Sequence, residues 1–232
     1  MFSATQVAEP TARTIYRKSF DTATTRHATS DSLERGTIRR LEAKEHVFCE
    51  GDPRTHVFRI EDGVVALSKV LSDGRRQVID FAYPGDYIGL GVLRDHIFDA
   101  QATCPAKVRC LSASALEHEA AKDASLAIKL YKAVSAELVA ARSLLVSVGQ
   151  RTAMERLAAF LVNLNSRNNN TANSGVIKLP MRRSDIADLR GLTIETVSRT
   201  ITKLRTMRVI DVVHGTEVHI LDFDRLTELA GE

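Results

Sequence analysis

The chain has 232 residues, 44% of them hydrophobic, which supports a packed core in one large or two ordinary domains and excludes a disordered protein. Its net charge of +3 is too small to name a partner, and its three cysteines (Cys49, Cys104, Cys110) contain no CxxC pair, the pattern of reduced cytosolic thiols rather than of a disulfide framework. The N-terminus lacks an apolar stretch and no run approaches about 18 apolar residues, so neither secretion nor membrane spanning is expected.

Residues 1–30 are rich in Thr, Ala and Ser without a sustained apolar period, and read as a flexible arm. From Glu42 to Ser112 the texture changes to short β-branched and aromatic runs. Gly51, Gly63, Gly74 and Gly85 punctuate them at spacings of 12, 11 and 11. Such regular turn signals predict an antiparallel barrel or sandwich, with Ser72-Asp73-Gly74 as one hairpin turn. A long helix is predicted from Asp123 to Val148. Ala124, Ala127, Tyr131, Val134, Leu138, Ala141, Leu145 and Val148 alternate spacings of three and four along it, an a/d register that predicts pairing with a second copy. Leu126, Leu130 and Leu144 lie off that seam and would pack on the helix's own β-domain. Gly149 marks an expected break, followed by an amphipathic helix from Thr152 to Asn163 and a polar loop over Ser166–Gly175.

Asp185-Ile186-Ala187-Asp188-Leu189 then forms a short helix, Gly191 a turn, and Thr193-Ile194-Glu195-Thr196-Val197-Ser198-Arg199 the start of a second helix with Thr193 at its N-cap. Helix, glycine turn and capped helix make the helix-turn-helix pattern. At 3.6 residues per turn Ile194, Glu195, Ser198 and Arg199 share one face in the turns that enter a major groove. Arg can bond guanine O6 and N7, and Glu can accept from cytosine N4. The alternative is a solvated helix carrying an i, i+4 pair between Glu195 and Arg199. Charge favours the DNA reading. Between Val176 and Ile210 eight Lys or Arg (Lys178, Arg182, Arg183, Arg190, Arg199, Lys203, Arg205, Arg208) face three acids, so the basic excess is gathered where phosphates would lie. Thr193, Ile194, Thr196, Arg182, Arg183, Ser184 and Lys203 are the candidate secondary and backbone contacts. Val209 to Leu221 reads as two strands about His214-Gly215-Thr216-Glu217, a wing. A closing helix runs from Asp222, its N-cap, to Ala230.

Together these elements resemble the CRP/FNR family of bacterial transcription regulators, from about Leu33 to Leu221. The strings that carry the resemblance are Glu50-Gly51-Asp52-Pro53, Gly85-Asp86-Tyr87-Ile88-Gly89 and Leu192-Thr193-Ile194-Glu195-Thr196-Val197-Ser198-Arg199. Leu179-Pro180-Met181 ahead of Asp185-Ile186-Ala187 is similar to the FixK and FnrN branch, whose members control micro-oxic and nitrogen-fixation genes. The resemblance implies an α+β fold. It would comprise a cyclic-nucleotide-binding-like antiparallel β-roll over residues 31–121, a dimerisation helix over 122–149 and a winged helix-turn-helix over 150–232. It implies a cytoplasmic homodimer on double-stranded DNA, in contact with RNA polymerase through exposed barrel loops such as Ser72–Arg76. Glu195, Ser198 and Arg199 match the FNR-type reading pattern, whereas the cyclic-AMP receptor type has Gly at position 198 and Arg at 194. The implied target is a TTGA-N6-TCAA palindrome, with Arg199 on guanine, Glu195 on the opposing cytosine and Ser198 helping select the outer thymine. Arg190 departs from the family, which has an apolar residue before this glycine. Either Leu189 takes over the packing, or the Arg190 stem is buried and its head reaches a phosphate.

The sensor chemistries of such a fold fit poorly. A cyclic nucleotide needs a cation for its phosphate, yet Leu90 follows Gly89, and Arg94 is the only Lys or Arg between Arg76 and Lys107. An FNR-type iron–sulfur cluster needs four thiolates where three cysteines exist. A haem needs as little as one His, and His46, His56, His96 and His118 lie in or beside the barrel. Thiol redox sensing through the cysteines is the remaining alternative, against which stands their apolar, strand-like setting. No cofactor is expected, and activity would follow protein concentration. No catalytic motif is present; Glu117-His118-Glu119 and the acids between Glu42 and Glu50 read as solvated faces.

Overall fold

A computed structural model describes residues 36–168 and 175–231. The arm expected over residues 1–30 and the middle of the polar loop fall outside them. Eight strands form the N-terminal domain: β1 (Thr37–Leu41), β2 (His46–Phe48), β3 (His56–Asp62), β4 (Val65–Val70), β5 (Arg76–Ala82), β6 (Tyr87–Ile88), β7 (Asp99–Ala102) and β8 (Ala106–Ser112). They make two four-stranded antiparallel sheets, ordered β1-β8-β3-β6 and β2-β7-β4-β5. This is the expected β-roll. Side chains alternate across each strand, so Phe58, Ile60, Val65, Ala100 and Val108 fill the space between the sheets. On the other face of β3 and β8, Val57 and Leu111 are paired neighbours buried against the helices that follow. The β4–β5 turn is where expected, and Gly74 adopts a φ of 81° there, a conformation open to glycine without steric cost.

A helix that the sequence did not suggest comes next, α1 (Ala113–Ala120). It is only 8 residues long and starts at Ser112, whose hydroxyl accepts from the Ala115 amide. The long helix α2 (Ala124–Gln150) follows, 27 residues or about 40 Å. Asp123 caps it by accepting from the Ser125 and Leu126 amides. Leu126 is buried with Val57, Leu111 and Leu116, and Leu130 packs beside them, while Leu144 packs on the core that the β-roll and the C-terminal domain share. The off-seam leucines therefore bind α2 to its own domains. The a/d seam points outward, with Tyr131, Val134, Leu138, Leu145 and Val148 among the exposed large hydrophobic residues.

Two boundaries differ from expectation. Gly149 does not break α2: it lies in the helix with open space around its Cα, and the chain turns instead at Arg151, which is extended. The next helix, α3 (Ala153–Asn168), runs beyond Asn163 into the stretch taken as loop, because Leu164 and Asn165 are still buried. Thr152 and Glu155 form a capping box at its start. Glu155 accepts from the Thr152 amide and hydroxyl at 2.6 and 2.8 Å, and its own amide donates back to the Thr152 hydroxyl at 3.3 Å.

The C-terminal domain continues with β9 (Val176–Lys178), α4 (Arg183–Arg190), α5 (Ile194–Thr206), β10 (Ile210–Val213), β11 (Glu217–Ile220) and α6 (Phe223–Leu229). The wing expected as two strands has a third, β9, on the far side of β11. Leu157, Phe160 and Leu161 of α3 share one core with Ile186 and Leu189, with Val197, Ile201 and Leu204, and with Leu226. Asp222 caps α6 as expected, accepting from the Arg225 amide. No helix of the described residues is long and apolar enough to cross a membrane.

Candidate nucleic-acid interface

The reading head is built by two helices and the turn between them. Gly191 caps α4 in the left-handed region with a φ of 61°, which redirects the chain within two residues. Thr193 then caps α5, its hydroxyl accepting from the Thr196 amide at 3.1 Å. Val197, Thr200, Ile201 and Leu204 are the buried side of α5. Geometry therefore turns the opposite side outward. Ile194, Glu195, Arg199 and Lys203 are exposed on it and Ser198 is half-buried.

Glu195 and Arg199 form no ion pair, although Arg199 lends a minor charge effect to the acid. Hydrogen bonds from its own backbone amide and from the Thr193 hydroxyl are what hold the Glu195 carboxyl below the usual range. Both end groups are solvent-exposed, the Glu195 carboxyl turned back on the helix start by those bonds. Arg183, in the first turn of α4, reaches the Ser198 hydroxyl at 3.5 Å, so the two helices present one continuous polar ridge. Arg182 is exposed and Ser184 half-buried at the same end of α4. Thr196 is half-buried with its hydroxyl 3.0 Å from that of Thr193, so its first role is local. A cleft of about 620 Å³ lies alongside, lined by Lys178, Arg182, Arg183, Thr216, Glu217 and Cys104.

Arg190 follows the first alternative, in which Leu189 takes over the packing. Leu189 does pack in the core, 6% exposed. The Arg190 guanidinium is drawn under the domain, over the Phe160 ring at 5.1 Å, and its Nε is buried without a partner. Burial lowers its pKa to about 10, against the opposing pull of Tyr83 and Asp80. These two belong to β5 and the turn after it, so Arg190 faces the β-roll and not a phosphate.

Further contacts tie the head to the roll, and nothing in the sequence announces them. Arg76 of β5 pairs with Asp185 of α4 at 2.7 Å. Asp185 also accepts from the Arg182 amide, closing the first turn of α4. The Gln77 side chain donates to the Asp188 carbonyl. Arg167 of α3 pairs with Asp86 at 2.8 Å and lies over Tyr83.

The roll itself does not suit a cyclic phosphate. Arg94 is exposed, and the His96 ring fills the space beside Gly89, stacked on Phe48 at 3.6 Å. Burial lowers the His96 pKa and favours its neutral form, so it supplies no cation. Burial also raises the thiols of Cys49 and Cys110, against thiolate formation. Among the described residues no group of three or more His, Cys, Asp or Glu side chains could hold a metal.

Comparison with known proteins agrees with this architecture. Residues 155–229 match the Crp-like helix-turn-helix domain and residues 38–123 the cyclic nucleotide-binding domain. The chain is 36% identical over 220 residues to the nitrogen fixation regulation protein FixK of Bradyrhizobium diazoefficiens, covering 90% of this chain and 92% of that one. It is 35% identical to the transcriptional activatory protein AadR of Rhodopseudomonas palustris, over 82% of this chain and 80% of the relative. The structure of FixK2 from Bradyrhizobium japonicum superposes with a TM-score of 0.79 at 36% identity, covering 84% of this chain and 96% of that one. The chain belongs to the CRP/FNR family of DNA-binding transcription regulators and is FixK-like within it.

Proposed function

We propose that the protein is a cytoplasmic homodimeric activator that reads a TTGA-N6-TCAA palindrome without a small-molecule effector. The observation that carries this reading is the outward face of α5, where Glu195, Ser198 and Arg199 stand together over a buried Val197–Ile201–Leu204 side. Arg199 takes the guanine, Glu195 the opposing cytosine amine, and Ser198 the outer thymine. Arg182, Arg183, Ser184, Lys203 and the Thr193–Thr196 cap, with Ile194 at the groove edge, meet the backbone and flanking bases.

Two copies join along the exposed a/d seam of α2, through Tyr131, Val134, Leu138, Ala141, Leu145 and Val148, which sets the two heads on a two-fold axis. The β4–β5 tip at Ser72–Arg76, exposed as far as Arg75 and half-buried at Arg76, is the surface offered to RNA polymerase. Relatives named as nitrogen fixation regulators and transcriptional activators support a role at micro-oxic, respiratory or nitrogen-fixation genes. The lack of a cation beside Gly89 and the raised thiol pKa values support activity set by protein concentration. A mobility shift with the purified protein, in air and under nitrogen, tests the base reading and its independence of an effector. Equal, ligand-free retardation of the palindrome in both atmospheres and none of a scrambled duplex is expected. Binding only under one atmosphere would overturn the effector-independent part, and equal binding of the scrambled duplex would overturn base reading.

A further inference from the structure

Arg156, in the first turns of α3, has no assigned role, yet its guanidinium meets four backbone carbonyls from three parts of the chain. Nη2 donates to Val148 in the last turn of α2 at 2.7 Å. Nε donates to Arg151 at the corner between α2 and α3 at 2.8 Å. Nη1 donates to Arg190 and Gly191, the last residue and cap of α4, at 3.1 and 3.2 Å. Val148, Arg190 and Gly191 lie at helix C-termini, where carbonyls lack intrahelical donors and carry partial negative charge. One planar cation therefore satisfies the ends of two helices at once. The contact is close: a Cβ on Gly191 would lie 3.5 Å from Val148 Cγ1 and 3.6 Å from Arg156 Nη1.

We propose that Arg156 is a positioning residue that fixes the angle between the dimer helix and the recognition helix, and so sets the half-site spacing the protein accepts. The proposal rests on the palindrome reading above. Val148 belongs to the seam that places α2 on the two-fold axis, and Gly191 is the turn from which α5 departs. Joining their carbonyls through one rigid fork removes the freedom of the two-residue corner at Arg151–Thr152. Lysine cannot replace it, because a single ammonium does not span carbonyls arrayed around a planar fork.

The test uses the full chain with Arg156→Lys and Arg156→Met, titrated by fluorescence anisotropy against palindromes with five-, six- and seven-base-pair spacers. Circular dichroism and sedimentation check fold and dimer. The expected result is that both variants keep the Arg199-dependent preference for the consensus guanine, while the preference for the six-base-pair spacer falls at least ten-fold. Trypsin cleavage after Arg151 should also speed up at least ten-fold as the corner is released. Wild-type spacer selectivity in Arg156→Lys, or a uniform loss of binding at every spacer with native dichroism, overturns the proposal. If Arg156→Met does not fold, Arg156→Lys, which keeps stem and charge, decides. A wild-type protein with no spacer preference would overturn the palindrome reading instead, and the cleavage rate would then judge Arg156 alone.

Discussion

Replacing Leu145 with alanine should cost the protein its dimer without costing it its fold. Leu145 is 74% exposed on a single chain, so about three quarters of its surface is available to a second copy and the smaller part belongs to its own chain. The change removes three carbons, worth about 0.8 kcal/mol each when fully buried. Scaled by the 74% that the partner would cover, this is about 1.8 kcal/mol per protomer and about 3.5 kcal/mol per dimer. At about 1.4 kcal/mol per factor of ten, the dimer dissociation constant should rise roughly 300-fold. Sedimentation equilibrium over a range of protein concentrations measures it directly. Leu126→Ala is the matched control: this leucine is 3% exposed, so its truncation should lower stability by about 2–5 kcal/mol and leave the seam intact. A dissociation constant for Leu145→Ala within three-fold of wild type would refute the seam.

Arg199→Ala should weaken binding to the consensus duplex by about 1–3 kcal/mol and erase the preference for guanine at that position; equal weakening on consensus and scrambled DNA would count against a base contact. Arg190→Met should leave the salt dependence of DNA binding unchanged and stability equal or higher, because it removes a cation whose pKa burial has lowered to about 10. A drop of about one in the slope of log affinity against log salt would mean that Arg190 reaches a phosphate after all. The Glu155 carboxyl is held below its usual range by the Thr152 amide and hydroxyl. A carboxyl depressed in the folded state stabilises above its unfolded pKa and loses that effect as pH falls through the folded one. The stability difference between wild type and Glu155→Gln should therefore be present at pH 6 and fade progressively as pH falls below the ordinary glutamate value of about 4.3 and through the lower folded one. Chemical denaturation across that range reads it, and a difference that grows in acid would contradict the capping box.

The recognition helix was legible because its signals are local: a Thr cap, a Gly turn and a two-sided face within some ten residues. The long helix α2 was legible because its apolar register is periodic. The misplaced boundaries have physical reasons. Gly149 is exposed and costs α2 only propensity, so the long helix tolerates it. Asn165 is buried despite being polar, which hid the last turn of α3. The Thr152–Glu155 capping box spells its own position and would have located the corner. The contacts that orient the reading head could not be read in this way. Arg76 and Asp185 are 109 residues apart, and Arg156 bonds to carbonyls, which every residue carries and no letter of a sequence marks.

The Arg76–Asp185 pair has a consequence for protein engineering. Reading domains of this kind invite transplantation, since their DNA contacts are compact and their boundaries fall at a short corner. Here the graft would carry Asp185 away from Arg76, and with it a buried carboxylate that also closes the first turn of α4. An uncompensated buried charge is costly, so the new host would have to present a cation at the equivalent place on its own fifth strand. Partner choice for a chimera therefore depends on the β-roll, where Arg76 is one of several residues, with Gln77, Tyr83 and Asp86, that meet the reading head away from its outward face.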